Sequence, residues 1–197
     1  AYELAVIIKD GMRRMYHEGE EVFYYITVMN EKYKMPKMPS RKGIDKGIIN
    51  GMYKIKTGQK NVNNVNLMGS GTILNESLKA SEILKEKYDI STDVWSMTSY
   101  KRLYDNAIEI DRMNRLKDKQ KQNFIQESVG KEPGFFIAAS DYVKSLPLSI
   151  SKWFPGKLSA LGTDGFGLSD HREELRDYFE VDAKHIVWAT LFELYKA

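Results

Sequence analysis

The chain has 197 residues, 42% of them hydrophobic and 29% charged, with a formal net charge of +3. That is enough for one good core, or one core and part of a second, in an ordinary globular composition. It contains no cysteine, which excludes disulfides, thiolate nucleophiles and zinc–thiolate centres. The basic residues cluster only at 117–121, far short of a nucleic-acid footprint. His17, His171 and His185 show no two-histidine ligand spacing, so no metal site is expected. No apolar run approaches the roughly 20 residues that span a bilayer. No secretory signal is visible, and a cytoplasmic location is the default expectation.

In chain order, Leu4, Ile7, Ile8, Met12 and Met15 recur at helical spacing and predict a helix over 2–16. Residues 22–29 are apolar or aromatic apart from Thr27, the pattern of a strand buried on both faces of a parallel sheet. A polar loop follows over 30–42, with Pro36 and Pro39 restricting its backbone. The chain opens without Met and already in helical pattern. One helix and one doubly buried strand cannot cover their own apolar surface, so a carboxyl-terminal piece of a longer protein is expected.

Residues 51–57 alternate as a half-exposed strand. Asn61, Asn63, Asn64 and Asn66 mark 58–66 as a turn or junction. Strand–helix alternation then begins. Strand 65–68 meets Gly69-Ser70-Gly71 and a helix to about Tyr88, with Ile73, Leu74, Leu78, Ala80 and Leu84 as its inner face. Strand 93–98 leads to a helix near 100–116. Strand 135–139 leads to a helix capped by Ser140 or Asp141 and limited by Pro147. Strand 158–161 is followed by a short helix with Asp170 and Glu173 at capping-box spacing. A last helix is capped by Asp182, with Val181 and Ile186 as a hydrophobic staple. This order predicts an α/β fold: a mostly parallel or mixed sheet with helices on both faces.

Three segments invite functional readings. Gly69-Ser70-Gly71 opens a helix, where backbone N–H groups attract phosphate. It lacks the third glycine and downstream acid of a dinucleotide fingerprint, so a tight βα turn is the preferred reading. Asp164 and Asp170 in the loop 163–170 are two carboxylates without further oxygen ligands, and a structural loop is preferred. The strongest candidate is the loop at 30–39. Loops leaving the carboxyl ends of parallel strands are where ligands bind. Asn30, Glu31, Tyr33 and Lys34 are its candidate active-site residues.

Residues 24–39 carry Tyr24-Tyr25-Ile26-Thr27, then Asn30-Glu31, Tyr33 and Met35-Pro36-Lys37-Met38-Pro39. With Gly69-Ser70-Gly71, Asp93-Val94-Trp95-Ser96-Met97-Thr98-Ser99 and Ala139-Ser140-Asp141-Tyr142, they run in the order of a known family. Leu161-Gly162-Thr163-Asp164-Gly165-Phe166-Gly167-Leu168-Ser169-Asp170 and Phe179-Glu180-Val181-Asp182-Ala183 complete the set. The chain resembles the carboxyl-terminal region of the homodimeric type of pyruvate dehydrogenase component. The resemblance implies the end of the pyrimidine-binding middle domain over 1–40, a linker over 41–60, and a transketolase-type carboxyl-terminal domain over 61–197.

For the full-length enzyme the resemblance implies thiamine diphosphate with magnesium, pyruvate as substrate, a homodimer, and lipoyl groups of a dihydrolipoyl acetyltransferase as acceptor. It implies neither cofactor bound to this region nor activity from it alone. The family's magnesium diphosphate motif, Gly-Asp-Gly with a later Asn-Asn, is not formed by Gly162-Thr163-Asp164-Gly165. The family carries His before Met-Pro where this chain has Lys34. A lysine keeps a donor and adds charge but does not shuttle protons near neutral pH without a large pKa depression. The open readings for Lys34 are an anion contact and a solvent-facing lysine beside Lys32 and Lys37. A second departure is 117–134, where the family has a proline-containing linker and this chain has proline only at Pro133. Two other functions fit the same residues: another transketolase-type enzyme acting on a different 2-oxo acid or a sugar phosphate, and a non-catalytic interaction module.

Overall fold

The computed structural model describes residues 2–59, 64–117 and 120–196. Asn61 and Asn63 of the expected junction lie outside the described residues, as do Asp118 and Lys119 of the basic cluster. Five strands, β1 (Met52–Lys56), β2 (Val65–Gly69), β3 (Thr92–Met97), β4 (Phe135–Ala139) and β5 (Lys157–Leu161), form one sheet in the order β1-β3-β2-β4-β5. The four strands β2 to β5 are parallel, and β1 pairs antiparallel with β3 at the edge. The expected mixed α/β sheet is therefore present. No helix among the described residues is long and apolar enough to cross a membrane.

The alternation of side chains along each strand divides the core. Val65, Leu67, Val94, Ile137 and Ala139 face one side. There they meet α3 (Ile73–Tyr88) and α8 (Ala183–Tyr195) through Ile73, Leu74, Ala80, Leu84, Ile186 and Val187. Met68, Trp95, Met97, Phe136, Ala138 and Leu158 face the other. They meet α4 (Tyr100–Leu116), α5 (Phe124–Val129) and the segment holding Ile150, Trp153 and Phe154. The central strands thus feed two cores, which is why β4 is apolar at every position. Asn66 is not part of a turn: it lies in β2, and its Oδ1 accepts from the Trp95 indole N–H at 2.9 Å.

At the amino end, α1 (Tyr2–Met12) runs into one turn of π-helix at Arg13–His17. Its docked face is not the expected stripe. Tyr2, Val6 and Ile7 pack against α2 (Ile44–Asn50) and Tyr53, whereas Ile8 and Met12 are exposed. Glu3 accepts hydrogen bonds from Tyr53 (2.7 Å) and Ser96 (2.6 Å).

The expected strand at 22–29 is absent. These residues have no regular secondary structure, and Phe23 and Tyr25 are 87% and 86% exposed. A strand needs a neighbour for its N–H and C=O groups, and none of the five strands pairs here. Tyr24 is half-buried, donating to Asp10 and lying 3.2 Å from the Arg14 guanidinium. Burial works against the Asp10 carboxylate, but hydrogen bonds from Tyr24 and Arg13 outweigh it and hold Asp10 below the usual carboxylate range. Residues 41–60, expected as a linker, carry α2 and β1, and β1 is a member of the sheet.

Candidate functional site

The parallel strands β2 and β4 are neighbours whose connections diverge, and their carboxyl ends meet at one point of the sheet. Such a switch point is the ordinary place for a site in an open parallel sheet. Gly69 ends β2, and a Cβ there would sit 2.6 Å from the Leu74 Cα and 2.8 Å from the Ser77 Oγ, so helix α3 packs against bare backbone. Gly71 adopts a φ of +56°. The turn at Gly69-Ser70-Gly71 thus needs its glycines for packing and conformation, as the preferred reading holds. The Ser70 hydroxyl donates to the Ser140 Oγ at 2.9 Å, tying the two strand ends together inside the protein.

Ser140 and Asp141 do not cap a helix. The Ser140 Oγ accepts instead from the Tyr142 N–H at 3.1 Å, and α6 (Ser145–Leu148) starts later without a side-chain cap. A hydroxyl so close in sequence competes for the local backbone and bends it into a turn. Asp141 accepts from the Thr72 hydroxyl at 3.4 Å. Burial pushes its carboxyl above the ordinary range; Arg176 and the Thr72 hydrogen bond oppose this and Glu31 adds to it.

A carboxyl whose folded pKa is raised contributes most stability below its unfolded value, about 3.9. It loses that stability as pH rises through the folded value. Asp141→Asn is therefore expected to unfold at higher denaturant concentration than the parent chain at pH 7. The advantage should vanish near pH 3.5, a range that urea titrations at several pH values will cover.

The loop at 163–170 closes the same edge. The Asp164 carboxylate accepts from the Lys144 N–H at 3.0 Å and pairs with the Lys144 ammonium at 3.1 Å. These contacts hold Asp164 below the usual carboxylate range. The carboxylate is thus spent on chain geometry, in line with a structural loop. Asp170 is one residue off its expected role. It accepts from the His171 N–H at 2.7 Å, and His171 occupies the cap position of α7 (Arg172–Tyr178) without a side-chain bond. Asp182 caps α8 as expected, accepting from the His185 N–H at 2.9 Å. Asp177, Asp182 and His185 bring three potential ligand atoms together. Each already has other work: Asp182 as the cap, His185 on Asp182 at 2.7 Å, and Asp177 paired with Lys184.

The expected site residues arrive at this edge unequally. Asn30 accepts from Arg172 Nη2 at 2.7 Å, and Glu31 accepts from Arg176 Nη2 at 2.6 Å. The Arg172 Nε is 3.6 Å from the same Glu31 oxygen. Tyr33 is half-buried, and burial, then Glu3 and Glu31, push its phenol up. Lys34 is exposed and makes no hydrogen bond or ion pair among the described residues. Thr27 and Tyr142 share a 2.7 Å hydroxyl contact that ties the loop's amino side to the β4 end. A cavity of about 460 Å³ opens between Asn30, Glu31, Lys32, the cap residue His171 and Arg172 and Arg176 of α7.

Sequence reasoning missed Arg172 and Arg176. The available signal is their spacing: four apart on a short helix, they share one face. What they face is 145 residues away for the Arg176–Glu31 pair. The arrangement suits binding and orienting polar groups at a sheet edge, and it includes the Asp141 carboxyl that burial pushes up.

Mixed topology, helices on both faces and a polar site at the β2/β4 switch point define a doubly wound α/β domain. Residues 51–182 match the family described as transketolase-like TK C-terminal domain, and residues 1–36 match the pyruvate dehydrogenase E1 component middle domain. The chain belongs to the transketolase-like C-terminal domain family. It is 46% identical over 195 residues to the pyruvate dehydrogenase E1 component of Pseudomonas aeruginosa, covering 97% of this chain and 22% of that protein. The corresponding protein of Escherichia coli is 42% identical over 200 residues, again with 22% of its length covered. The chain thus spans about a fifth of the length of these curated relatives. Among solved structures, a transketolase from Pichia stipitis superposes with a TM-score of 0.52 at 15% identity, over 78% of this chain and 19% of that one. At that identity the likeness concerns the fold alone.

Proposed function

We propose that these residues act as the carboxyl-terminal region of a thiamine diphosphate-dependent, pyruvate-decarboxylating enzyme of the pyruvate dehydrogenase E1 type. In this reading residues 1–40 end the pyrimidine-binding domain, and the loop at 30–39 is one wall of the active site. The supporting observation is the similarity over 97% of this chain together with the loop's seat at the switch point, where Asn30 and Glu31 meet Arg172 and Arg176.

Bound thiamine diphosphate supplies the carbanion chemistry of such enzymes. The residues described here do not form its magnesium diphosphate cradle, because Asp164 is committed to Lys144 and no Gly-Asp-Gly motif accompanies it. The cofactor would be held elsewhere in the longer enzyme. Glu31 and Tyr33 would orient polar groups at the edge of the site. Lys34, exposed and unpaired, would present a fixed positive charge to phosphate or to the carboxylate of pyruvate. The complete enzyme would be a cytoplasmic homodimer that passes acetyl groups to the lipoyl groups of a dihydrolipoyl acetyltransferase.

The test is pyruvate-dependent acetylation of lipoyl domains by the complete enzyme. A charge-assisted contact contributes about 1.5–3 kcal/mol. Lys34→Ala is therefore expected to lower kcat/KM for pyruvate by about tenfold or more. Unchanged kinetics would remove the anion contact, and absence of pyruvate turnover in the parent enzyme would remove the functional reading.

A further inference from the structure

The geometry points to Arg176, seconded by Arg172, as a positioning residue that couples the sheet of the transketolase-like domain to the loop at 30–39. The inference rests on the reading of that loop as part of the active site. Arg176 and Glu31 have side chains only 15% and 17% exposed, so their 2.6 Å bond is formed largely out of water. Arg172 holds the adjacent Asn30 at 2.7 Å. Two successive loop residues are thus fixed by one face of α7.

Arg176 is itself braced from below. Its Nη2 donates to the Thr72 hydroxyl at 3.2 Å, and its Nη1 lies 3.9 Å from the Glu76 carboxylate. Thr72 is 2% exposed and donates onward to Asp141. Glu76 also accepts from the Ala183 N–H at 3.2 Å, which binds the bracing residue to the start of α8. The chain Asp141–Thr72–Arg176–Glu31 therefore runs from the carboxyl ends of β2 and β4 to the loop without a solvent gap. A planar guanidinium with several donors suits this role, since it serves loop and scaffold at once. Among the described residues, removing it leaves Glu31 with only the longer Arg172 contact and a largely dehydrated carboxylate.

A residue that aligns a loop changes turnover more than ground-state binding, because misplacement of reacting groups is felt in the transition state. The experiment uses the complete enzyme with Arg176→Ala, Arg176→Lys and Arg172→Ala, and Arg112→Ala on the exposed face of α4 as the control. Pyruvate kinetics, thiamine diphosphate affinity by fluorescence titration and hydrogen exchange of peptides covering 27–35 are measured together. Arg176→Ala is expected to lower kcat about tenfold or more with cofactor affinity within about twofold, and to speed exchange at 27–35 but not in α4. Arg176→Lys should restore part of both, and Arg172→Ala should show the same pattern more weakly.

Retention of kcat or of exchange protection in Arg176→Ala would overturn the inference. If that variant does not fold, Arg176→Lys and Arg172→Ala decide by the same two measures. An inactive parent enzyme would instead remove the functional reading, and the exchange rates alone would then decide whether Arg176 holds the loop.

Discussion

Gly51→Ala is expected to destabilise the chain by about 4 kcal/mol, from backbone strain and overpacking together. Gly51 ends α2 with a φ of +110°, which L residues rarely adopt. A Cβ at this position would lie 2.4 Å from the Ser99 carbonyl oxygen and 2.8 Å from the Leu103 Cγ. Backbone cannot retreat cheaply here, because the Gly51 carbonyl accepts from the Thr98 N–H at 2.9 Å and the Ser99 N–H at 3.1 Å. The same few atoms join α2, the end of β3 and the start of α4. In a thermal scan the melting temperature should fall by roughly 10 °C for a chain of this size. A change smaller than about 1 kcal/mol would mean that the junction between α2 and α4 relaxes freely.

Phe136→Ala should cost a similar amount, about 4 kcal/mol, by cavity formation in the core. Phe136 is 1% exposed on β4, between β2 and β5, and its ring lies 4.8 Å from that of Phe154. Neighbours on β2 and β5 are held by the sheet ladder, so the space left by the ring does not collapse. The matching truncation at Phe23, 87% exposed, is expected to shift the denaturation midpoint of this chain by less than about 0.5 kcal/mol equivalent. Equal losses at the two positions would contradict the packing described for the amino-terminal segment.

The α/β alternation was legible because each of its elements has a local signature. The runs at 65–69, 92–97 and 135–139 are strands, and of the expected inner positions of α3 Ile73, Leu74, Ala80 and Leu84 are buried and Leu78 is half-buried. Asp182 caps α8 where an aspartate precedes an apolar helix, and Val181 and Ile186 share one core cluster. Other local signals went unread. Asn123 and Gln126 form a capping box at the start of α5, inside the stretch that lacks the family's proline-containing linker. Its spacing is as plain as that of Asp170 and Glu173, where no side-chain cap forms. Capping signals compete over neighbouring positions, and the backbone chooses by the angle at which the chain arrives.

The candidate site was half legible. Asn30 and Glu31 reach the switch point, Tyr33 is half-buried, and Lys34 stands in solvent. Their partners Arg172, Arg176 and Thr72 lie in other elements, and nothing in the local pattern of α7 says what its arginines face.

By itself the order of apolar periods and turn residues determined the class of the fold and the placing of its four parallel strands, β2 to β5. Those properties follow from hydrogen bonding and burial within a few residues. Tertiary structure alone decided that 22–29 does not join the sheet, that β1 enters it antiparallel, and that α7 grips the loop at 30–39. An apolar run becomes a strand only when another strand offers its backbone groups. A guanidinium becomes a clamp only when folding brings a distant carboxylate within 2.6 Å.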